Sequence, residues 1–191
     1  MDKHLYFSSH LGYEELVVQG YIQRIIKLVT PEIKYAQDSL NWVRDKEVGQ
    51  YTGADFSNVF LEGEKQRLTE ITENKDGYNW IIECDGQAIG NVNISDIEKT
   101  SQEFGKKAGS LNYIIGVKEL WNKGITSAVV KKVLEWAFKN SFEIIKSRVI
   151  PQNKSSRAVL LKSGFVEYGR EDYDGPDIGE PTWYITYKLV K

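Results

Sequence analysis

A glycine beside cationic and hydroxyl residues precedes an apolar helical pattern in the stretch LWNKGITSAVVKKVLEWAF. Lys123, Gly124, Thr126 and Ser127 stand where that pattern begins. The first turn of a helix exposes unpaired N–H groups and a partial positive charge, which favour a bound phosphate, and glycine lets the backbone approach closely. Taken alone, these residues fit either a phosphate-binding loop or an ordinary helix start.

A second polar group lies downstream, where a predicted strand gives way to a predicted helix. Asn153 can bond to the amides of an extended ligand, or it can cap the helix. Ser156 can donate its hydroxyl proton in a reaction, or it can bond the backbone of the first helical turn. The presence of both elements favours a ligand site over two unrelated helix starts.

The first half of the chain predicts strands and then helices. The β-branched segment 14–30 predicts a strand, a turn and a second strand. Thr30 is predicted to cap a helix that has Pro31 in its first position and ends before Gly49. A further helix is predicted after Gly63.

The second half predicts a hairpin and one parallel crossover. An Asp85-Gly86 turn suits a type I′ hairpin, and the polar segment 98–107 is predicted to be a loop. A strand, the helix behind Gly124 and another strand fill the region from Leu111 to Pro151, which requires one parallel pair. A short helix ending at Gly164 and two strands follow. We therefore predict an α/β (α+β) fold with a mixed, mostly antiparallel sheet flanked by helices.

Length and composition indicate one globular domain over residues 1–191, with 1–15 as a possible N-terminal extension. Of the residues 41% are hydrophobic, and the formal net charge of −2 gives no basic field for nucleic acid or an anionic membrane. No apolar run reaches the roughly 18 residues that span a bilayer. The start has no secretory h-region.

Cysteine and histidine are too scarce for several kinds of chemistry. The single cysteine, Cys84, lies in an apolar run and is interpreted as a buried structural thiol, which indicates a reducing, cytoplasmic setting. The only histidines are His4 and His10. A histidine-based metal site or a catalytic triad is therefore not expected, and no metal is predicted.

Together the two polar groups resemble the GCN-five-related N-acetyltransferase (GNAT) family, most closely its RimJ/RimL-like branch. The pyrophosphate loop of that branch often reads Trp-Gly-Lys-Gly-Ile-Ala, and here it reads Trp121-Asn122-Lys123-Gly124-Ile125-Thr126. The later pattern, Asn-x-x-Ser through Lys-x-Gly-Phe, corresponds to residues 153–156 and 162–165. Upstream, NWVRDKEV and DGQAIGNVNISDI are similar as well, so the resemblance spans about residues 17–191.

Three positions depart from the family pattern. Asn122 replaces the usual first glycine, and Thr126 replaces a glycine or alanine. A β-branched Thr126 either crowds the pyrophosphate or adds a hydroxyl donor, and we expect binding to be retained because Gly124 and the downstream motif persist. The frequent tyrosine acid of the family is absent, since Leu160 stands in its place, as is usual in the RimJ/RimL branch.

The resemblance implies a GNAT fold whose parallel strands splay apart around the pantetheine of acetyl-CoA. It implies that Ile114, Ile115 and Val117 lie along the pantetheine, and that Asn153 bonds it from the other side. It also implies direct attack of a primary amine on the thioester, with Ser156 protonating the leaving thiolate. The pyrophosphate would be held by the loop residues Asn122, Lys123, Gly124, Ile125, Thr126 and Ser127.

The acceptor is predicted to be a protein N-terminal α-amine. An α-amine, with a pKa of about 7.7–8.0, is partly neutral at cytosolic pH, whereas a lysine at about 10.4 is not. A small amine such as an amino sugar, a polyamine or an aminoglycoside is the alternative acceptor, and a non-catalytic acyl-CoA-binding module is another reading. The chain is expected to be a monomer or a homodimer.

The general base is left unassigned, and two groups of residues are candidates for the acceptor side. The segment REDYDGPDIGEP (residues 170–181), called the acidic loop, could be a solvated hairpin tip or a rim that attracts a cationic amine. Trp42, Tyr113 and Trp183 could line an acceptor groove or simply belong to the core. The candidate carboxylates are Glu83, Asp96, Glu171, Asp172, Asp174, Asp177 and Glu180.

Overall fold

The computed structural model describes residues 10–19, 22–52, 58–175, 179 and 182–191. Of the possible extension, residues 1–9 lie outside this range. The strands are β1 (His10–Gln19), β2 (Ile22–Val29), β3 (Tyr78–Cys84), β4 (Gln87–Ser95), β5 (Ala108–Ile115), β6 (Ile144–Val149), β7 (Val166–Asp172) and β8 (Trp183–Val190). The α-helices are α1 (Ala36–Arg44), α2 (Lys46–Gly49), α3 (Leu61–Glu73), α4 (Ile97–Phe104), α5 (Ile125–Lys139) and α6 (Lys154–Lys162).

The eight strands form one sheet in the order β1-β2-β3-β4-β5-β6-β8-β7. Every neighbouring pair is antiparallel except β5 and β6, which run parallel because α5 connects them as a crossover. The predicted fold class, with one parallel pair in a mostly antiparallel sheet, is confirmed. Within the described ranges, no helix is long and apolar enough to cross a membrane.

The hairpin of β3 and β4 is confirmed at its predicted turn. Asp85 and Gly86 have φ angles of 53° and 82°, as a type I′ turn requires. Cys84 ends β3 and is only 4% exposed, which confirms its interpretation as a buried thiol. Burial raises the pKa of Cys84, so that the unreactive thiol form is favoured.

The sheet carries a hydrophobic core on each face. The first, which we call the α5 core, packs α5 and α6 against the sheet and includes Val92, Ile94, Leu111, Val129, Val133, Ile145, Leu160 and Tyr187. The second, the α1–α3 core, lies on the opposite face and includes Tyr35, Ala36, Trp42, Val48, Leu68, Ile81 and Ala88. The two faces of β5 are therefore covered by different helices, apart from the polar positions described below.

Thr30 does not cap the first helix, contrary to the prediction. The chain first forms a 3₁₀ turn over Ile33–Tyr35, and α1 begins only at Ala36. The predicted single helix is also divided, because Asp45 has an extended backbone and its side chain accepts hydrogen bonds from the N–H groups of Glu47 and Val48. Asp45 thus ends α1 and caps α2.

The predicted loop at 98–107 is largely helix α4, which was a wrong prediction. Only Ile97 and Phe104 are apolar within α4, so hydrophobic periodicity was weak. The helix is fixed to β5 by polar contacts instead: Ser101 Oγ accepts from the N–H of Ala108 at 3.0 Å and donates to its carbonyl. Gly105 closes the helix in the left-handed conformation, with φ of 65°.

Gly116 is the place where α1 meets the end of β5. A Cβ at this position would lie 1.9 Å from Cγ of Trp42, whose side chain is 5% exposed in the α1–α3 core. We expect Gly116→Ala to lower the free energy of unfolding by about 3 kcal/mol, because a buried indole must move to admit the methyl group. Chemical denaturation followed by tryptophan fluorescence measures this change.

Gly63 provides the matched control for that substitution. It lies inside α3, and a Cβ added there would meet nothing within 4 Å. Gly63→Ala should therefore stabilise the protein by about 0.5–1 kcal/mol, as alanine does in a helix. If Gly116→Ala leaves the denaturation midpoint unchanged while Gly63→Ala raises it, the close packing of Trp42 on β5 is not required for stability.

Candidate active site

The parallel strands β5 and β6 separate toward their carboxyl ends. They pair only at their beginnings, the last pair being Ser110 with Lys146, although β5 continues to Ile115 and β6 to Val149. The hydroxyl of Ser147 donates to the carbonyl of Leu111 at 3.0 Å just beyond the last pair. A gap therefore opens between β5 and β6 at their carboxyl ends, which is where α/β proteins commonly bind ligands.

The loop before α5 ends beside this gap in a left-handed conformation. Asn122 has φ of 59° and Gly124 has φ of 79°. Asparagine is among the few residues that tolerate this region, which accounts for Asn122 in place of a glycine. A Cβ on Gly124 would meet nothing within 4 Å, so the space beside its backbone is open.

The first turn of α5 leaves donors exposed to that space. Its first intrahelical bond runs from the N–H of Ala128 to the carbonyl of Gly124, so the N–H groups of Ile125, Thr126 and Ser127 have no acceptor in the helix. Lys123 is exposed, whereas Ile125 is buried in the α5 core and anchors the turn. The arrangement can bind an anion through backbone donors.

Two side chains, Trp121 and Lys118, hold the loop in place through contacts that the sequence did not predict. The indole Nε1 of Trp121 donates to the carbonyl of Ile115 at 2.8 Å. Lys118 pairs with Asp45 at 2.8 Å and with Glu47 at 3.0 Å, which ties the loop to the α1–α2 junction. The hydrogen bond from Lys118, followed by that from the Val48 N–H, lowers the pKa of Asp45.

The backbone of β5 presents different residues to its two neighbours. The N–H of Gly116 donates to Ile89 of β4, and the Ile114 carbonyl lies against Gly90 of the same strand. Backbone N–H and C=O groups point alternately to the two sides of an antiparallel strand. The backbone groups of Tyr113 and Ile115 therefore point toward the gap. Ile114 thus offers its carbonyl to β4 rather than to a ligand in the gap.

Two of the predicted residues near the end of β5 already have partners within the protein. The Ile115 carbonyl accepts from Trp121, and the N–H of Val117 donates to Ile89 at 3.3 Å. Val117 packs against the α5 core. Ile115 can still accept a second hydrogen bond on its gap side, since a carbonyl oxygen has two lone pairs.

Asn153 and Ser156 lie at the start of α6, beyond the end of β6. The Oδ1 atom of Asn153 accepts from the N–H of Ser156 at 3.0 Å, so the residue caps the helix. Its Nδ2 donors are not used by this cap. Throughout the residues that the structure describes, the Ser156 hydroxyl has no hydrogen-bond partner, which leaves it available as a donor.

Tyr113 crosses from β5 to α6 on the face of the α5 core. Its hydroxyl donates to the carbonyl of Ser156 at 3.3 Å. Burial raises the pKa of Tyr113 to about 12, so the phenol stays protonated at neutral pH. Tyr113 therefore links β5, on one side of the gap, to α6, on the other side.

Two described carboxylates of the acidic loop, Glu171 and Asp174, lie against basic side chains. Glu171 lies 2.6 Å from Lys146 and 3.8 Å from Arg148, and Asp174 lies 4.0 Å from Arg148. Burial tends to lower the pKa of Lys146, but hydrogen bonds to Glu171 and Glu103 outweigh it and raise the pKa. These pairs offset the charges of Glu171 and Asp174, so these two carboxylates contribute little to an acidic rim.

The remaining candidate carboxylates are scattered. Glu83 accepts from the Tyr35 hydroxyl at 2.8 Å, Asp96 accepts from Ser95, and Asp172 is the exposed last residue of β7. Asp177 and Glu180 lie outside the described residues. In the part of the chain covered by the structure, no group of three or more histidines, cysteines or acidic residues is arranged for a metal ion.

The predicted aromatic candidates do not form one groove. Trp42 is buried against Gly116, and Tyr113 faces α6. Trp183 is 37% exposed and lies against Arg170, whose guanidinium is 4.9 Å from the ring centroid. The three side chains therefore occupy separate positions.

The sequence did not predict a group of asparagines on β5 and on its neighbour β4. Asn91 and Asn93 on β4 and Asn112 on β5 lie on the face of the α1–α3 core, because their cross-strand partners Ile81 and Asn79 do. We call these three residues the amide patch. The alternation of asparagine with Val92 and Ile94 was the available signal.

A family model described as "Acetyltransferase (GNAT) domain" matches residues 26–166. Since that range covers most of the chain, this protein belongs to the GNAT acetyltransferase family, as the resemblance implied. It is therefore an N-acetyltransferase that uses acetyl-CoA as its co-substrate. No curated protein sequence matches the chain.

Solved structures of acetyltransferases share the fold at low sequence identity. The spermidine N-acetyltransferase from Vibrio cholerae, solved with CoA and spermine, has a TM-score of 0.75 and 15% identity, covering 86% of this chain and 95% of its own. RimJ from Mycobacterium smegmatis, solved with a CoA-disulfide, has a TM-score of 0.74 and 18% identity, covering 87% and 82%. The RimL acetyltransferase of ribosomal protein L7/L12, solved with coenzyme A, has a TM-score of 0.74 and 13% identity, covering 92% and 98%.

Proposed function

We propose that this chain acetylates the α-amine at the N-terminus of proteins, as a member of the RimJ/RimL-like branch. The observation that carries the proposal is the gap between β5 and β6, flanked by the Gly124 loop on one side and by Asn153 and Ser156 on the other. The loop motif, the Asn-x-x-Ser motif and the similarity to RimJ and RimL support the branch.

The residues around the gap fit acetyl-CoA. The N–H groups of Ile125, Thr126 and Ser127, with Lys123 nearby, suit a pyrophosphate, and the open space at Gly124 admits it. Along the gap, Ile115 and Val117 would flank the pantetheine, and Asn153 would donate an Nδ2 hydrogen bond to it. Asn122 shapes the loop through its left-handed backbone.

Acetyl-CoA supplies an activated acetyl group as a thioester. The acceptor nitrogen forms a bond to the thioester carbonyl carbon, the carbon–sulfur bond breaks, and the acetyl group passes to the amine. The nitrogen loses one proton, and the departing thiolate gains one, for which Ser156 is the proposed donor. A partly neutral α-amine needs only weak assistance from a base.

Three measurements test this function in sequence. Acetyl-CoA should raise the melting temperature of the protein, and the absence of a shift at saturating concentration would contradict acetyl-CoA binding. Release of free CoA should then depend on a peptide acceptor. Mass spectrometry of the product should place the acetyl group on the α-amine; a label on lysine or on a small amine would contradict the proposed acceptor.

Asn153 allows its capping and ligand-binding roles to be separated. Asn153→Ala removes the cap and should lower the free energy of unfolding by about 1 kcal/mol. Asn153→Asp keeps a capping oxygen but removes the Nδ2 donor. We expect both variants to weaken acetyl-CoA binding, measured by calorimetry, about tenfold for one lost hydrogen bond.

The aspartate variant decides between the two roles of Asn153. If Asn153→Asp binds acetyl-CoA as tightly as the unmodified protein, Asn153 is a capping residue only. Melting temperatures show whether each variant retains its fold.

The structural similarity to the spermidine enzyme makes a small amine the second candidate acceptor. The spermidine enzyme and RimJ match this chain with nearly equal TM-scores, so the shape of the fold does not favour one acceptor over the other. A panel containing a peptide, spermidine and an aminoglycoside distinguishes them by kcat/KM. A non-catalytic acyl-CoA-binding module would release no CoA with any acceptor.

The cellular setting and assembly complete the proposal. We propose one domain over residues 1–191, acting in the cytoplasm as a monomer or homodimer without nucleic acid or membrane. The single cysteine and the near-neutral formal charge support this setting. Light scattering of the purified chain measures the oligomeric state.

A further inference from the structure

The amide patch lies where an acceptor must approach the gap, an argument that rests on the proposed function. The helices α5 and α6 cover one face of β5 and β6, and the Gly124 loop opens at the same edge. The opposite face is open at Asn112, which is exposed on β5. An acceptor that reaches a thioester in the gap therefore passes over this face.

The patch has unused hydrogen-bonding capacity. Asn112 Nδ2 donates to Asn93 Oδ1 at 2.9 Å, and also to Ser95 Oγ at 3.2 Å and the Ser110 carbonyl at 3.3 Å. Within the described part of the chain, Asn112 Oδ1 and Asn93 Nδ2 have no partner. Asn91 is partly buried in the depression that α3 forms with the sheet, near Arg67. Among the described residues, its side-chain amide has no partner.

Arg148 lies on β6, on the side of the gap opposite to Asn112. It lies two residues after Lys146, as Asn112 lies two residues after Ser110, so the two side chains occupy corresponding positions on β6 and β5. Its guanidinium is stacked 4.4 Å from the Tyr184 ring centroid, and its nearest carboxylate oxygens are 3.8 and 4.0 Å away. These distances exceed hydrogen-bond length, so its donors are available to a ligand.

The chemistry of this surface selects a particular kind of amine. Amide side chains complement the N–H and C=O groups of a peptide, and an arginine fork suits a carbonyl or carboxylate. These side chains carry no negative charge, whereas a polycation is bound best by carboxylates. Of the described carboxylates near Arg148, Glu171 lies 2.6 Å from Lys146 and Asp174 lies 4.0 Å from Arg148.

We propose that the amide patch and Arg148 bind an acceptor whose amine is next to a carbonyl group, and that they discriminate against polyamines. Arg148 takes the carbonyl oxygen adjacent to the amine, and Asn93 and Asn112 bond the following peptide group. A protein N-terminus and a free amino acid share the α-amine and carbonyl, whereas only the peptide also uses the asparagines.

The test compares three acceptors: a tripeptide amide with a free amino terminus, the corresponding free amino acid, and spermidine. We expect the tripeptide to be the best acceptor. Asn93→Val and Asn112→Val should each raise its KM about tenfold, as expected for a lost neutral hydrogen bond, with the KM for acetyl-CoA unchanged. Arg148→Gln should raise KM for the tripeptide and the amino acid but not for spermidine.

Asn140→Ala is the control, since Asn140 ends α5 away from the patch. Binding of the tripeptide, measured by calorimetry with and without CoA, provides a readout that does not require turnover. The inference is overturned if spermidine is the preferred acceptor, if the tripeptide does not bind, or if the patch variants keep KM within twofold. Failure of acetyl-CoA binding would instead contradict the proposed function, and the tripeptide calorimetry would still test the patch.

Discussion

In the Gly124→Ala variant, the dissociation constant for acetyl-CoA is expected to rise about 100-fold, equivalent to two charge-assisted hydrogen bonds of about 1.5 kcal/mol each. Gly124 has φ of 79°, and the space beside it is open within the protein. A methyl group there would project into the space proposed for the pyrophosphate and separate it from the N–H groups of Ile125 and Thr126. Calorimetric titration with CoA measures the change.

Gly105 provides a control with the same backbone geometry. It has φ of 65°, a Cβ there would meet nothing within 4 Å, and it closes α4. Both alanine variants should lose stability through left-handed strain, by about 1–2 kcal/mol. Only Gly124→Ala should lose acetyl-CoA affinity; a threefold or smaller change in that variant would mean that the pyrophosphate binds elsewhere.

Ser156→Ala is expected to lower kcat about 100-fold, the lower range for loss of a positioned acid, while the KM for acetyl-CoA stays within twofold. The cap of α6 survives this change, because Asn153 accepts from the backbone N–H of residue 156 rather than from its hydroxyl. Stability should therefore change little, and the loss can be assigned to the missing proton donor. Steady-state kinetics of CoA release give both constants.

Ser155→Ala is the matched control for the hydroxyl. Ser155 is the preceding residue of α6 and is exposed. Its replacement should leave kcat unchanged. If Ser156→Ala also keeps its kcat, solvent or another group protonates the thiolate, and the protonated phenol of Tyr113 becomes the next residue to replace.

The sequence predicted most of the sheet because its signals were local. Alternating β-branched runs and the Asp85-Gly86 turn specify the central hairpin, and the α5 pattern specifies the crossover between β5 and β6. Helix α4 was missed because its stability depends on side-chain bonds from Ser101 to the backbone of β5. Such bonds have no hydrophobic period, although Gly105 was a C-terminal signal.

The candidate site was predictable where motifs are contiguous and not where the fold assembles it. The Gly124 loop and the Asn153–Ser156 pair are short segments whose residue types reveal helix starts. By contrast, the approach of Asn112 and Asn93 depends on strand register, and the contact of Trp42 with Gly116 depends on how α1 packs. No local pattern encodes a distance between residues this far apart in sequence.

The burial of Cys84 has a practical consequence for kinetics. The chain has one cysteine, and its thiol lies at the end of β3 with 4% exposure and a raised pKa. A disulfide reagent added to the folded enzyme should therefore react at once with product CoA and only slowly with the protein. Without acceptor, the slow reaction reports how often the centre of the sheet opens, so traces recorded with and without acceptor separate turnover from conformational opening.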